Sequence, residues 1–239
     1  LILPHLQEAT ADAILAGLRG MGELPKGFEA GAGRLQSLGA SVKYSLDHLP
    51  DEFRRLLPAL SLFEGTVYES MLVEFSKSPD CPACFSCITR EAWRLVLQEN
   101  VDIGLLTPLD GQHYNIHPAL PAFLVARWRE EAEGRFEEEY RAAKRALLCA
   151  CASFGEWLSS EMRAGSVETA MALVERYRRM IGLMLDFALN ERRFDAARSI
   201  LIPLNRFCDT RGFFVESQSW AEKARAAVER VSGLAPEHG

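Results

Sequence analysis

The stretch Gly104-Leu105-Leu106-Thr107-Pro108-Leu109-Asp110-Gly111-Gln112-His113-Tyr114-Asn115-Ile116-His117-Pro118 limits what this chain can become more than any other. A short apolar run, an Asp-Gly pair suited to closing a two-residue turn, and a second run in which Tyr114 and Ile116 alternate with polar neighbours read as a β-hairpin. Helical spacing flanks it on both sides, and no other stretch reads as a strand. The expected fold is therefore mainly α: a winged helix-turn-helix with one β-hairpin as its wing, followed by a tetratricopeptide-like helical array.

The chain has 239 residues, of which 48% are hydrophobic, enough for two modest cores. A net charge of −6 argues against a nucleic-acid surface. No apolar run approaches the roughly 20 residues of a membrane span, and no signal-peptide pattern is present, so a cytoplasmic protein with no membrane partner is expected. Residue 1 is Leu rather than Met, which reads as a piece of a longer protein.

Leu6, Ala9, Ala13, Ile14 and Leu18 stripe one helix, which Gly20 ends; the Gly- and Pro-rich run Met21 to Gly33 reads as a loop. Residues 1–34 then form the tail of a small helical domain and a linker. Residues 35–128 form the winged helix. Leu35, Leu38, Val42 and Leu46 make a stripe that Leu49 closes. Pro50, Asp51 and Glu52 suit the start of a helix burying Phe53, Leu56, Leu57 and Leu60. Thr66 and Glu69 have capping-box spacing ahead of Met71, Leu72 and Phe75. Thr89 opens a helix with Ala92, Trp93, Val96 and Leu97 inside and Asn100 at its end.

Residues 129–239 are expected to be tetratricopeptide-like repeats, entered through Phe123, Leu124, Trp128 and a solvated connecting helix from Arg127 to Glu139. Tyr140, Leu147, Phe154 and Trp157 stripe a long helix ending near Gly165. Ser166 caps another with Val174, Tyr177, Ile181 and Leu185, and Phe194 to Arg211 and Phe213 to Val231 supply two more. Small residues recur where helices would cross: Ala143, Ala150, Ala170, Ala196, Ala197, Ala221 and Ala224.

Ser45-Leu46-Asp47-His48-Leu49-Pro50, Leu56 to Gly65, Gly104-Leu105-Leu106 and Ile116-His117-Pro118 occur in an order that resembles the winged-helix module of STAND and NB-ARC signal-transduction ATPases. Arg211-Gly212-Phe213-Phe214-Val215-Glu216 followed by Trp220 is similar to a phrase in the tetratricopeptide-like repeats that often follow. The resemblance covers Leu35 to Trp128 closely and the remainder loosely. It implies ADP or ATP with magnesium as cofactors of the parent protein, held by a nucleotide-binding domain that precedes Leu1 and is this chain's own partner. It also implies a protein or other ligand on the repeats and a homo-oligomer on activation. In that family a histidine in a Met-His-Asp or similar triplet, at the wing's end, contacts the ADP phosphate. His117 is the matching position. Its neighbours here are Ile116 and Pro118, so the family's acidic residue is missing.

The chain has no Gly-x-x-x-x-Gly-Lys-Ser/Thr loop, so it is not expected to be an enzyme by itself, and no catalytic residue is assigned. Cys81, Cys84 and Cys87 have metal-like spacing but are one ligand short of a structural zinc site, so free thiols are expected and no metal ligand is assigned. A catalytic cysteine paired with His113 or His117 lacks an orienting third group. Ser41, Lys43 and Ser45 read as helix-surface residues. The alternative function is a DNA-binding transcriptional regulator, with Thr89 to Asn100 as its recognition helix. Between Leu35 and Trp128, 7 Lys/Arg face 11 Asp/Glu, a local net of −4, which disfavours it.

Overall fold

The computed structural model describes Val42, Leu46 and residues 49–232. The first helix, the following loop, Leu35, Leu38, Ser41, Lys43, Ser45 and His48 lie outside the described residues. The described chain is mainly helical, with a small three-stranded antiparallel sheet. It divides into two compact units between Lys144 and Arg145.

In the first unit Val42 and Leu46 are helical and buried, and Leu49 is buried just before Pro50. Where the spacing predicts one helix from Pro50 to Leu60, there are two pieces: α1, Asp51–Arg54, and a 3-10 turn, Leu57–Leu62. The break follows from Pro58, which has no N–H for the Arg54 carbonyl and whose ring crowds it. The 3-10 turn is buried throughout.

Thr66 does not cap a helix. Thr66–Tyr68 is a strand, β1, so the reading of a lone hairpin is corrected. The other strands are β2, Leu106–Asp110, and β3, His113–Ile116, in the order β1-β3-β2. Thr66, Val67 and Tyr68 lie opposite Asn115, Tyr114 and His113. All three β1 residues favour extended backbone, but three residues are too few to display an alternation. The helix α2, Glu69–Lys77, starts directly after, with no side-chain cap. Its first N–H is satisfied from the hairpin turn, because Glu69 N–H donates to the Gln112 carbonyl at 3.0 Å.

Helix α3, Arg90–Asp102, starts as expected: Thr89 Oγ1 accepts from the Ala92 N–H at 3.2 Å. Trp93, Val96 and Leu97 are buried, and the indole of Trp93 donates to Ser76 Oγ at 2.9 Å. Asn100 does not end the helix; its amide turns inward to the Val96 carbonyl and its own carbonyl accepts from the Leu105 N–H. In the hairpin Asp110 pairs with His113, so the loop is Gly111-Gln112, one residue later than the Asp-Gly pair, with an irregularity between Pro108 and Asp110. Tyr114 and Ile116 are buried and Asn115 exposed, as alternation requires.

The segment Arg127 to Glu139 is not one solvated helix. Helix α4, Ala119–Ala132, stops at Glu133, whose φ is 49°; a 3-10 turn, Glu133–Arg135, leads into α5, Phe136–Ala164. Trp128, Ala132 and Phe136 are buried there, with Trp128 edge-on to both Phe136 and Tyr140 at 5.8 Å. Aromatic burial wins over the charges, which lie on the outside.

The second unit holds the rest of α5, then α6, Val167–Asn190, α7, Phe194–Arg211, and α8, Phe214–Ser232. Val174, Tyr177, Ile181 and Leu185 are buried as expected. Of the small residues in this unit, Ala150, Ala170 and Ala197 are buried, whereas Ala221 faces solvent. A close crossing uses a residue outside that set, Gly155. A Cβ there would strike the Ser199 carbonyl of α7. Ser199 is four residues before Pro203, which lies inside α7 and has no N–H to give it. The freed carbonyl thus points at the one position on α5 with no side chain.

Candidate functional site

Among the described residues, a dense polar cluster lies where α2, α3 and the turn of the hairpin meet. The Glu69 side chain is fully buried at the start of α2. Arg90 Nη1 donates to its Oε1 at 2.9 Å, and Arg94 grips both oxygens, Nη2 to Oε1 at 3.1 Å and Nε to Oε2 at 3.2 Å. Thr89, by starting the helix, sets both arginines one turn apart on the same face. Arg90 also donates to Ser70 Oγ at 3.1 Å, and Ser70 donates to Gln112 Oε1 at 2.9 Å. Beside them His113 stacks on Tyr68, centroids 4.6 Å apart, with its Nε2 3.4 Å from Asp110. Burial, and then the Glu69 charge, push the Tyr114 phenol up; the hydrogen bond to Glu69 does the same for the Arg94 guanidinium. The cluster ties the hairpin turn and both helices to one carboxylate.

His117 stands elsewhere. It is exposed, follows the end of β3, and its carbonyl accepts from the Leu120 N–H at 2.9 Å, forming the turn into α4. It is therefore at the base of the hairpin, about 13 Å along the strand from His113 at the tip side. The structure does not bring His117 and the Glu69 cluster together.

Cys81 is half-buried and Cys84 and Cys87 are exposed; all three are free thiols. Burial, then the neighbouring Cys84 and Cys87, push the Cys81 thiol up to about 12. Burial and Glu139 raise Cys84. Cys151 and Cys208 are buried free thiols, and Cys149 is half-buried. Among the described residues no three His, Cys, Asp or Glu side chains stand where they could hold a metal ion.

No family model, curated protein or solved structure matches this chain. Among the described residues no helix is long and apolar enough to cross a membrane. Glu69 is the residue that the sequence reading placed in the wrong role. The available signal was the Arg90 and Arg94 pair at i, i+4, two cations on one helix face that need an anion when partly covered.

Proposed function

We propose that this chain is a regulatory and scaffolding part of a STAND-type signalling ATPase: a winged helix that senses the nucleotide state of a nucleotide-binding domain, followed by tetratricopeptide-like repeats that bind a protein or ligand. The observation that carries this reading is the order of elements. A helix, β1, α2, α3 and a hairpin, with β1 on the outer side of β3, is the order a winged helix requires. Long helices joined by two- or three-residue turns follow, as in stacked helix pairs.

The DNA-binding alternative is disfavoured by the Glu69 cluster. The only two basic residues near the start of α3 are Arg90 and Arg94, and both are hydrogen-bonded to Glu69, with Glu91 beside them. Their charge is neutralised before any phosphate could use it.

The test is at His117. In the intact parent, an imidazole N–H at the wing's base would donate to the terminal phosphate of ADP and hold the resting state closed. A charge-assisted bond of this kind contributes roughly 1.5–3 kcal/mol, a shift of about tenfold or more in a closed-to-open equilibrium. His117→Ala is expected to weaken ADP retention by about that factor and raise basal output, with an unchanged melting temperature because the side chain is exposed. Unchanged ADP affinity and basal output would remove His117 from the mechanism.

A further inference from the structure

The loop between α2 and α3 carries three of the chain's six cysteines, and backbone hydrogen bonds hold it in place. Phe85 N–H donates to the Pro82 carbonyl at 2.9 Å and Ser86 N–H to Ala83 at 3.4 Å, winding the segment into successive turns of 3-10 type. The last of these turns closes at Ser86. Cys84 lies within the turns and Cys87 follows one residue past their end, so only Phe85 and Ser86 separate the two thiols along the chain. Cys87 N–H, bound to the Ser76 carbonyl at 2.9 Å, locks the end of the loop back onto α2, with Cys87 at a φ of 59°. Phe85, between the two cysteines, is buried at the other side of the loop, 5.9 Å from Phe75 and edge-on to Trp128 at 5.4 Å. The backbone is thus held at both faces while the Cys84 and Cys87 side chains are left in solvent.

We propose that Cys84 and Cys87 are a reversible dithiol–disulfide pair, a redox-sensitive catch on the α2–α3 loop that exchanges with a small disulfide such as oxidised glutathione. The thiolate of Cys87 attacks one sulfur of glutathione disulfide; that S–S bond breaks, and glutathione leaves as a thiolate that takes up a proton. Deprotonated Cys84 then attacks the Cys87 sulfur of the mixed disulfide and expels the second glutathione. Two protein thiols are oxidised and one glutathione disulfide is reduced to two thiols. Cys81 is left out because it is half-buried, whereas the other two thiols are exposed to a soluble disulfide. Closing the ring encloses Phe85 and fixes its seat against Trp128.

The test incubates the full chain with glutathione disulfide, alkylates remaining thiols and maps the products by mass. Wild type is expected to lose the mass of two hydrogens between Cys84 and Cys87, to regain it with dithiothreitol, and to retain no glutathione. Cys84→Ser is expected to accumulate one glutathione on Cys87, which has lost its resolving partner. Both positions are exposed, so serine there leaves the core untouched. Wild type that stays reduced, stops as a stable glutathione adduct, or closes a disulfide through Cys81 overturns the assignment.

Discussion

A carboxylate removed from water keeps its charge only with donors around it, and Glu69 has three guanidinium hydrogen bonds from two arginines. Deleting one partner of a fully buried pair typically costs about 3–5 kcal/mol. Here the arginine side chains are 38% and 56% exposed and can turn to water once the acid is gone. Glu69→Ala is therefore expected to lower stability by about 1–3 kcal/mol, read as a lower urea midpoint. A wild-type midpoint would show that the cluster contributes no net stability. Nothing local in the sequence announces this role. Thr66 and Glu69 fit a capping box by spacing, while the partners that decide the matter are 21 and 25 residues away. Tyr114 and Ile116 were legible because their environment follows from alternation with immediate neighbours.

At the scale of elements, the long helices were the most legible. The expected Phe194 to Arg211 agrees with α7 at both ends, where Gly212 at φ 77° terminates it. β1 was illegible because its stability comes from pairing with β3 rather than from its own three residues. Pro58 was visible, yet the apolar spacing around it argued for continuity and the missing N–H prevailed. Gly155 was missed because a glycine in a helix carries no periodic signal, although its cost of up to about 1 kcal/mol relative to alanine needs a reason. The reason is the Ser199 carbonyl. Gly155→Ala gains helix propensity but must push α7 away, an overpacking cost of about 1–3 kcal/mol, so a lower melting temperature is expected. A higher one would mean that α5 and α7 do not approach here.

For the molecule as a whole, net charge and the absence of a phosphate loop act together. The isolated chain is expected to release no phosphate from magnesium ATP and to leave duplex DNA unretarded at moderate salt. Retardation would restore the transcription-factor reading. The two compact units also differ in the distance along the chain over which their contacts are made. β1 joins β3 by pairing Thr66 with Asn115, and everything from α2 to the hairpin lies between them. In the second unit α6 meets α7 and α7 meets α8, each the next element along, and further contacts, α6 with α8 and α5 with α7, skip a single helix. Closing a long loop before any contact rewards it slows folding, so the sheet should be late and the helical array early. Trp93, packed on Ser76 just past β1, and Trp220 on α8 are internal clocks for the two events. In rapid dilution from denaturant, a chain keeping only Trp220 should reach its native fluorescence before one keeping only Trp93. Matched rates would mean that the strand pairing sets no separate pace. A slow sheet has a practical meaning during synthesis: β1 emerges long before its partner and waits as an unpaired edge, its Val67 covered only once the hairpin arrives.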